Sequence, residues 1–188
     1  MSADIRTAVF LIAVVLVAMA LLIILARSYW RARRSTGRDW EQLLSGLVKV
    51  DRGSIAEVAL DVIDRSGEPR RDTESAILEP AQIWSLVGGM KGLEILEANC
   101  EVLIDLAFYV QQWHPEALSV TEQLRLSARE LQWHVERLRS AQATGKLESA
   151  IPMYAQRAAA IYYLMTRRLL ALYEQGNINL LQELEKAL

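Results

Sequence analysis

The sequence predicts an all-α protein in which a single N-terminal transmembrane helix is followed by a cytoplasmic antiparallel helical bundle. Three observations carry this prediction. Ala8 to Ala26 is an unbroken run of 19 apolar residues. Beyond it, apolar residues recur every three or four positions, the period of a helix that buries one face. No stretch sustains the apolar–polar alternation, closed by turn pairs, that marks β-hairpins. The chain therefore divides into an anchor with a basic collar over residues 1–38 and a helical domain over 39–188, with a polar loop at about 66–75.

The anchor covers about 7–26. The 20 positions between Arg6 and Arg27, at 1.5 Å each, span about 30 Å as a helix, the thickness of a bilayer core. A helix is the form in which one segment satisfies its own backbone in lipid. Ala18-Met19-Ala20 has the small-x-small pattern of a signal-peptidase site. Leu21 to Ala26 nevertheless continues the run well past the length of a signal-peptide core, so the segment reads as an uncleaved anchor. Five arginines follow it, Arg27, Arg31, Arg33, Arg34 and Arg38, against Arg6 and Asp4 before it. This asymmetry puts the N-terminus outside and the domain in the cytoplasm at the inner (plasma) membrane. Tyr29 and Trp30 suit the membrane interface. A single cysteine agrees with a reducing compartment.

The chain has 188 residues, is 52 % apolar and carries a net charge of −2, which excludes general disorder and a wholly basic nucleic-acid binder. The charge is unevenly placed: residues 1–38 hold six basic residues and one acidic, residues 39–188 hold 15 basic and 22 acidic. A basic collar thus joins a mildly acidic body. The collar sets topology, and each of its arginines can attract anionic lipid headgroups by about 1 kcal/mol. One cysteine and two histidines leave no disulfide framework and no multi-cysteine zinc site.

In the body, Trp40, Leu43, Leu44, Leu47 and Val50 fit one face of a short helix. Asp51-Arg52-Gly53 reads as a break, with Ser54 capping a helix from Ile55 to about Arg65 and Glu57 completing a capping box. Ser66 to Ser75 is a flexible polar connection. Pro80 opens a long helix whose stripe runs Ile83, Leu86, Met90, Leu93, Leu96, Cys100, Leu103, Ala107 and Val110. It ends near Trp113, ahead of Pro115. The next helix, Ser119 to Ala141, carries the seam Leu124, Ala128, Leu131, Val135 and Leu138, and Thr144-Gly145-Lys146 stops it. Pro152 starts the last long helix, which runs to about Glu174 and is capped at Gly176-Asn177. A short terminal helix over 178–188 places Leu180, Leu181, Leu184 and Leu188 on one side. The two last long helices pair as an antiparallel hairpin, with 83–113 packed against them.

Each chemistry-bearing residue has a plain structural reading. Cys100 lies on a core stripe. Neither His114 nor His134 stands in a Glu-x-x-His, which a di-iron bundle needs on two helices. Glu94, Glu97, Glu101 and Asp105 form a carboxylate stripe that reads as a solvated face, with Arg125, Arg129 and Arg137 of the next helix as neighbours. Gly88-Gly89-Met90-Lys91-Gly92 lacks the ending and the strand of a phosphate loop. Three glycines in five residues favour a kink there, and Gly88 and Gly92 permit close approach by another helix. Tyr154, Tyr162, Tyr163 and Tyr173, with Trp84, Trp113 and Trp133, read as core aromatics. No catalytic, cofactor or metal residue is assigned.

The expectation is a single-pass membrane-anchored, non-catalytic interaction protein, a scaffold or accessory subunit. Its contact elements are Gly88 and Gly92, the seam leucines Leu124, Leu131 and Leu138, and Leu181 and Leu184. Its partners are membrane lipid and another protein, with self-association as a further route and no nucleic acid. The alternative is a lipid- or small-molecule-binding bundle, or an enzyme using carboxylates on the 94–105 face.

Overall fold

The computed structural model describes residues 19, 39–64, 66–70, 78–111, 113–176 and 178–188. Met19 apart, the anchor at about 7–26 lies outside the described residues, as do the collar residues Arg27, Tyr29, Trp30, Arg31, Arg33, Arg34 and Arg38. Among the described residues no helix is long and apolar enough to cross a membrane. The chain falls into two units, Met1–Arg38 and Asp39–Leu188.

The described residues of the second unit form seven helices: α1 (Trp40–Ser45), α2 (Arg52–Val62), α3 (Pro80–Leu86), α4 (Gly89–Gln111), α5 (Ala117–Ala143), α6 (Leu147–Gln175) and α7 (Leu181–Ala187). The helical period of the sequence is thus realised throughout, and the apolar stripes meet in one core. The long helices α5 and α6 form an antiparallel hairpin, since Trp133 meets Tyr154 and Ser127 meets Arg168. Helix α4 lies against both and runs parallel to α6, with Asn99 opposite Tyr162 and Leu106 opposite Tyr173. Helices α2 and α3 pack on α6, and α7 returns to α6 as well.

The caps explain the boundaries. Asp51, not Ser54, starts α2: its carboxylate accepts from the Gly53 and Ser54 amides and the Ser54 hydroxyl. The hydroxyl bond, then the amides, hold the Asp51 carboxyl below its ordinary range. Gly145, at φ 70°, ends α5 in a Schellman motif in which the Lys146 amide reaches the Ala141 carbonyl at 2.8 Å. Helix α6 starts at Leu147, not at Pro152, which sits inside its second turn. A proline there forfeits one backbone bond near the helix start, where few are at stake. The Ile178 amide bonds the Tyr173 carbonyl at 3.0 Å and turns the chain towards α7.

The expected long helix from Pro80 is two helices. Pro80 does open α3, but Val87-Gly88 interrupts the stripe, with Gly88 and Gly89 at φ 76° and 64°. The chain's own turn then crowds Gly92: a Cβ there would lie 1.8 Å from the Val87 carbonyl oxygen. The close approach that Gly88 and Gly92 permit is therefore made by this turn. The 66–70 part of the expected flexible loop is a tight turn. Asp64 accepts from the Ser66 and Glu68 amides, and Arg70 N–H bonds the Val62 carbonyl.

Candidate functional site

The seam of α5 is consumed by the fold. Leu124, Leu131 and Leu138 are fully buried, as is Leu184 of α7, while Leu181 packs half-buried at the core edge. All five make their contacts within this chain. Cys100 is buried beside Met165, with sulfur atoms 3.6 Å apart, and burial, followed by the charges of Glu101 and Glu97, pushes its thiol up to about 12. A thiol held in that range is no nucleophile at neutral pH.

One polar residue that periodicity does not single out ties the core together. Asn99, buried on α4, accepts from the Val48 amide at 2.9 Å and donates to the Val48 carbonyl at 2.8 Å. It therefore binds the link between α1 and α2 as a neighbouring strand would. Its amide also donates to the Tyr162 hydroxyl at 3.2 Å, whose own acidity burial pushes to about 12. Trp40 packs between Tyr109 and Tyr173.

Glu94 and Glu97 on the acidic face of α4 are met by a cation of the next helix. Arg139 of α5 meets Glu97 at 3.0 Å and Glu94 at 3.5 Å, and holds Glu136 at 2.6 Å. The expected neighbours Arg125, Arg129 and Arg137 are engaged differently or stand apart: Arg125 pairs with Glu122, and Arg137 lies over the Trp133 ring at 5.0 Å. Residue 139 falls beside α4 because it flanks Leu138 on the buried side of α5. Among the described residues no three His, Cys, Asp or Glu side chains gather as a metal-ion set.

His134 is also buried. Its Nε2 lies 3.9 Å from the Glu130 carboxylate, its Nδ1 has no hydrogen-bond partner among the described residues, and its ring meets Trp133 and Tyr154. Burial holds the imidazole below its ordinary range, with Glu130 opposing that shift and Arg157 adding to it. It is a neutral core histidine under physiological conditions.

Two surfaces among the described residues stand out. The first is the outer face of α5, directly opposite the seam. Leu118, Leu126 and Trp133 are 50 %, 64 % and 48 % exposed. Their spacings of eight and seven residues align them on one side of the helix. Trp133 and Trp113, expected in the core, are surface residues. Trp133 falls two positions from Leu131, and a helix turns about 200° over that step.

The second is a groove of about 600 Å³, a volume typical of ligand sites. Its floor is a stripe of α6 from Pro152 to Arg168. One wall is the end of α2 and the 63–70 turn, and the other is Ser127 and Glu130 of α5. Gly67, at φ 91°, lets the turn lie on Leu164, where a Cβ would stand 2.9 Å from the Leu164 side chain. Asp61 and Gln156, 9 % and 2 % exposed, line the groove and are joined at 2.7 Å. Periodicity gives no sign of this groove, because its two walls come from segments some 60 positions apart in the sequence and its floor from a third.

Compared with known proteins, the chain matches no family model, no curated protein and no solved structure.

Proposed function

We propose that this protein is a single-pass membrane-anchored, non-catalytic interaction protein, a scaffold or accessory subunit whose helical body docks another protein at the cytoplasmic face. The 7–26 segment and the arginine collar support the tether. The observation that carries the docking reading is the apolar line Leu118, Leu126 and Trp133 on the outside of α5. Isolated exposed apolar residues are ordinary, whereas three aligned over about 22 Å of one helix form a face. The acids on that side, Glu122 and Glu136, are already paired with Arg125 and Arg139. Arg129 and Arg137, the latter over the Trp133 ring, add positive charge beside the line, so the face suits a partner helix with apolar anchors and acidic flanks.

The test is affinity purification of the full chain from its native membranes in mild detergent, read by mass spectrometry, for the wild type and for Leu126→Glu with Trp133→Glu. These positions are on the surface, so the fold should survive, as circular dichroism would verify. A stoichiometric partner that the double variant loses supports the reading. A chain recovered alone, or a partner retained by the variant, refutes docking at this face.

A further inference from the structure

The groove is long and open along one side. Its α6 floor runs seventeen residues from Pro152 to Arg168, about 24 Å of helix. About 600 Å³ lie between its walls, and an extended chain can lie along this floor.

The lining then separates the two kinds of extended chain. A peptide strand carries an amide and a carbonyl at every residue, and each needs a partner once covered. The middle of the groove offers Ile63, Ala160, Ile161 and Leu164, which supply none. The backbone of α6 is committed to its own helix, and the Val62 carbonyl on the facing wall is already bonded to Arg70. A hydrocarbon chain has no polar group to satisfy there and gains from leaving water.

The charged lining favours an anion. Asp61 is nine-tenths buried and held by Gln156. The lining carries three guanidinium groups, Arg70, Arg157 and Arg168, against the two carboxylates of Asp61 and Glu130, and Arg70 already donates to the Leu60 carbonyl at 3.2 Å. At one end of the floor Arg168 donates to the Ser127 hydroxyl at 3.2 Å, which leaves it further N–H donors and leaves the hydroxyl proton free to turn outward. An arginine beside a hydroxyl is a fitting receiver for a carboxylate. At the other end stands Met153, 56 % exposed, an adaptable apolar contact for a chain end.

We propose that this groove binds one long-chain fatty carboxylate, with the head at Arg168 and Ser127 and the tail laid along Leu164, Ile161 and Ala160 towards Met153. The site is independent of the α5 outer face, so either can fail without the other.

The test uses the full chain in phosphatidylcholine nanodiscs, a photoactivatable hexadecanoate with its reactive group near the tail, and peptide mapping of the cross-link. The label should fall within 152–164 and be displaced by unlabelled hexadecanoate. Arg168→Glu and Met153→Glu, both at exposed positions, should each reduce labelling at least tenfold. Trp133→Glu should leave it unchanged. Labelling spread over other segments, labelling that hexadecanoate does not displace, or full labelling of both groove variants would overturn the proposal. So would displacement by phosphatidylglycerol vesicles but not by hexadecanoate, which would make the site a patch for a lipid surface.

Discussion

The indole N–H of Trp40 donates to the Glu183 carboxylate at 2.6 Å, across 143 positions of sequence. The bond clamps α7 over α1, and the buried indole brings Tyr109 and Tyr173 into the same cluster. Trp40→Phe keeps most of the ring and loses the donor, and should cost about 1–2 kcal/mol. Glu183→Gln should cost less, since a neutral acceptor remains. A double-mutant cycle by urea denaturation of the full chain should give a coupling above about 0.5 kcal/mol. Purely additive effects would show that the bond contributes nothing.

Asn99 supplies a donor and an acceptor to one residue, Val48. Asn99→Leu should cost about 2–4 kcal/mol, because it strands both buried backbone groups. Asn99→Asp is the sharper probe. At neutral pH its carboxylate would face the Val48 carbonyl with nothing to donate, while the protonated acid restores a donor. Relative to the wild type, this variant should recover stability as pH falls through its raised carboxyl range. A deficit that stays constant with pH would refute the donor role.

His134 makes stability depend on pH in a definite direction. Its imidazole is held below its ordinary 6.5 by burial, with Glu130 opposing and Arg157 assisting. Trp133 and Tyr154 also meet the ring. The unfolded chain therefore takes up the proton first. Stability is complete above the ordinary value and declines as pH falls below it towards the depressed one, by up to about 1.4 kcal/mol per pH unit for one proton. His134→Phe should remove that part of the decline. A pH profile unaltered by this substitution would show that His134 is not the group responsible.

Gly92→Ala should be among the most damaging single changes in the body. The new Cβ would meet the Val87 carbonyl, a backbone atom with little room to yield, and the expected loss exceeds about 3 kcal/mol. Gly53→Ala offers the control: the nearest neighbour to its Cβ is the Asp51 carboxylate at 3.3 Å, a side chain that can move. Equal losses in thermal denaturation would contradict the steric account of Gly92.

Much of the helical frame is legible in the sequence because it rests on a single period. Leu93, Leu96, Cys100, Leu103, Ala107 and Val110 are all buried as their spacing demands. Leu86 and Met90 are only partly so, since the turn at Val87-Gly88 lies between them. The cap of α2 lies three residues ahead of the expected one, because Asp51 and Ser54 are both competent caps and periodicity does not rank them. Asn99 is invisible for a different reason. A polar residue beside an apolar stripe reads as solvated until its partner appears, and the Val48 backbone carries no side-chain signal. The outer line of α5 stands in the sequence as Leu118, Leu126 and Trp133. Tryptophan reads as core, and only the arrangement of neighbouring helices shows which side of α5 is closed.

The distance between Trp40 and its acceptor also sets an order of events. A chain made from its N-terminus exposes Trp40 long before Glu183 exists. At about 5–20 residues per second, the interval is about 7–30 s. Through that time the ring of Trp40, Tyr109 and, late on, Tyr173 stands uncovered beside whatever the nascent chain meets, while α4 to α6 can already zip together through their nearer contacts. Closing α1 under α7 is therefore a late act of biogenesis. A slow ribosome, a stalled message or a nick ahead of α7 would leave the same aromatic ring open, a natural handle for a chaperone.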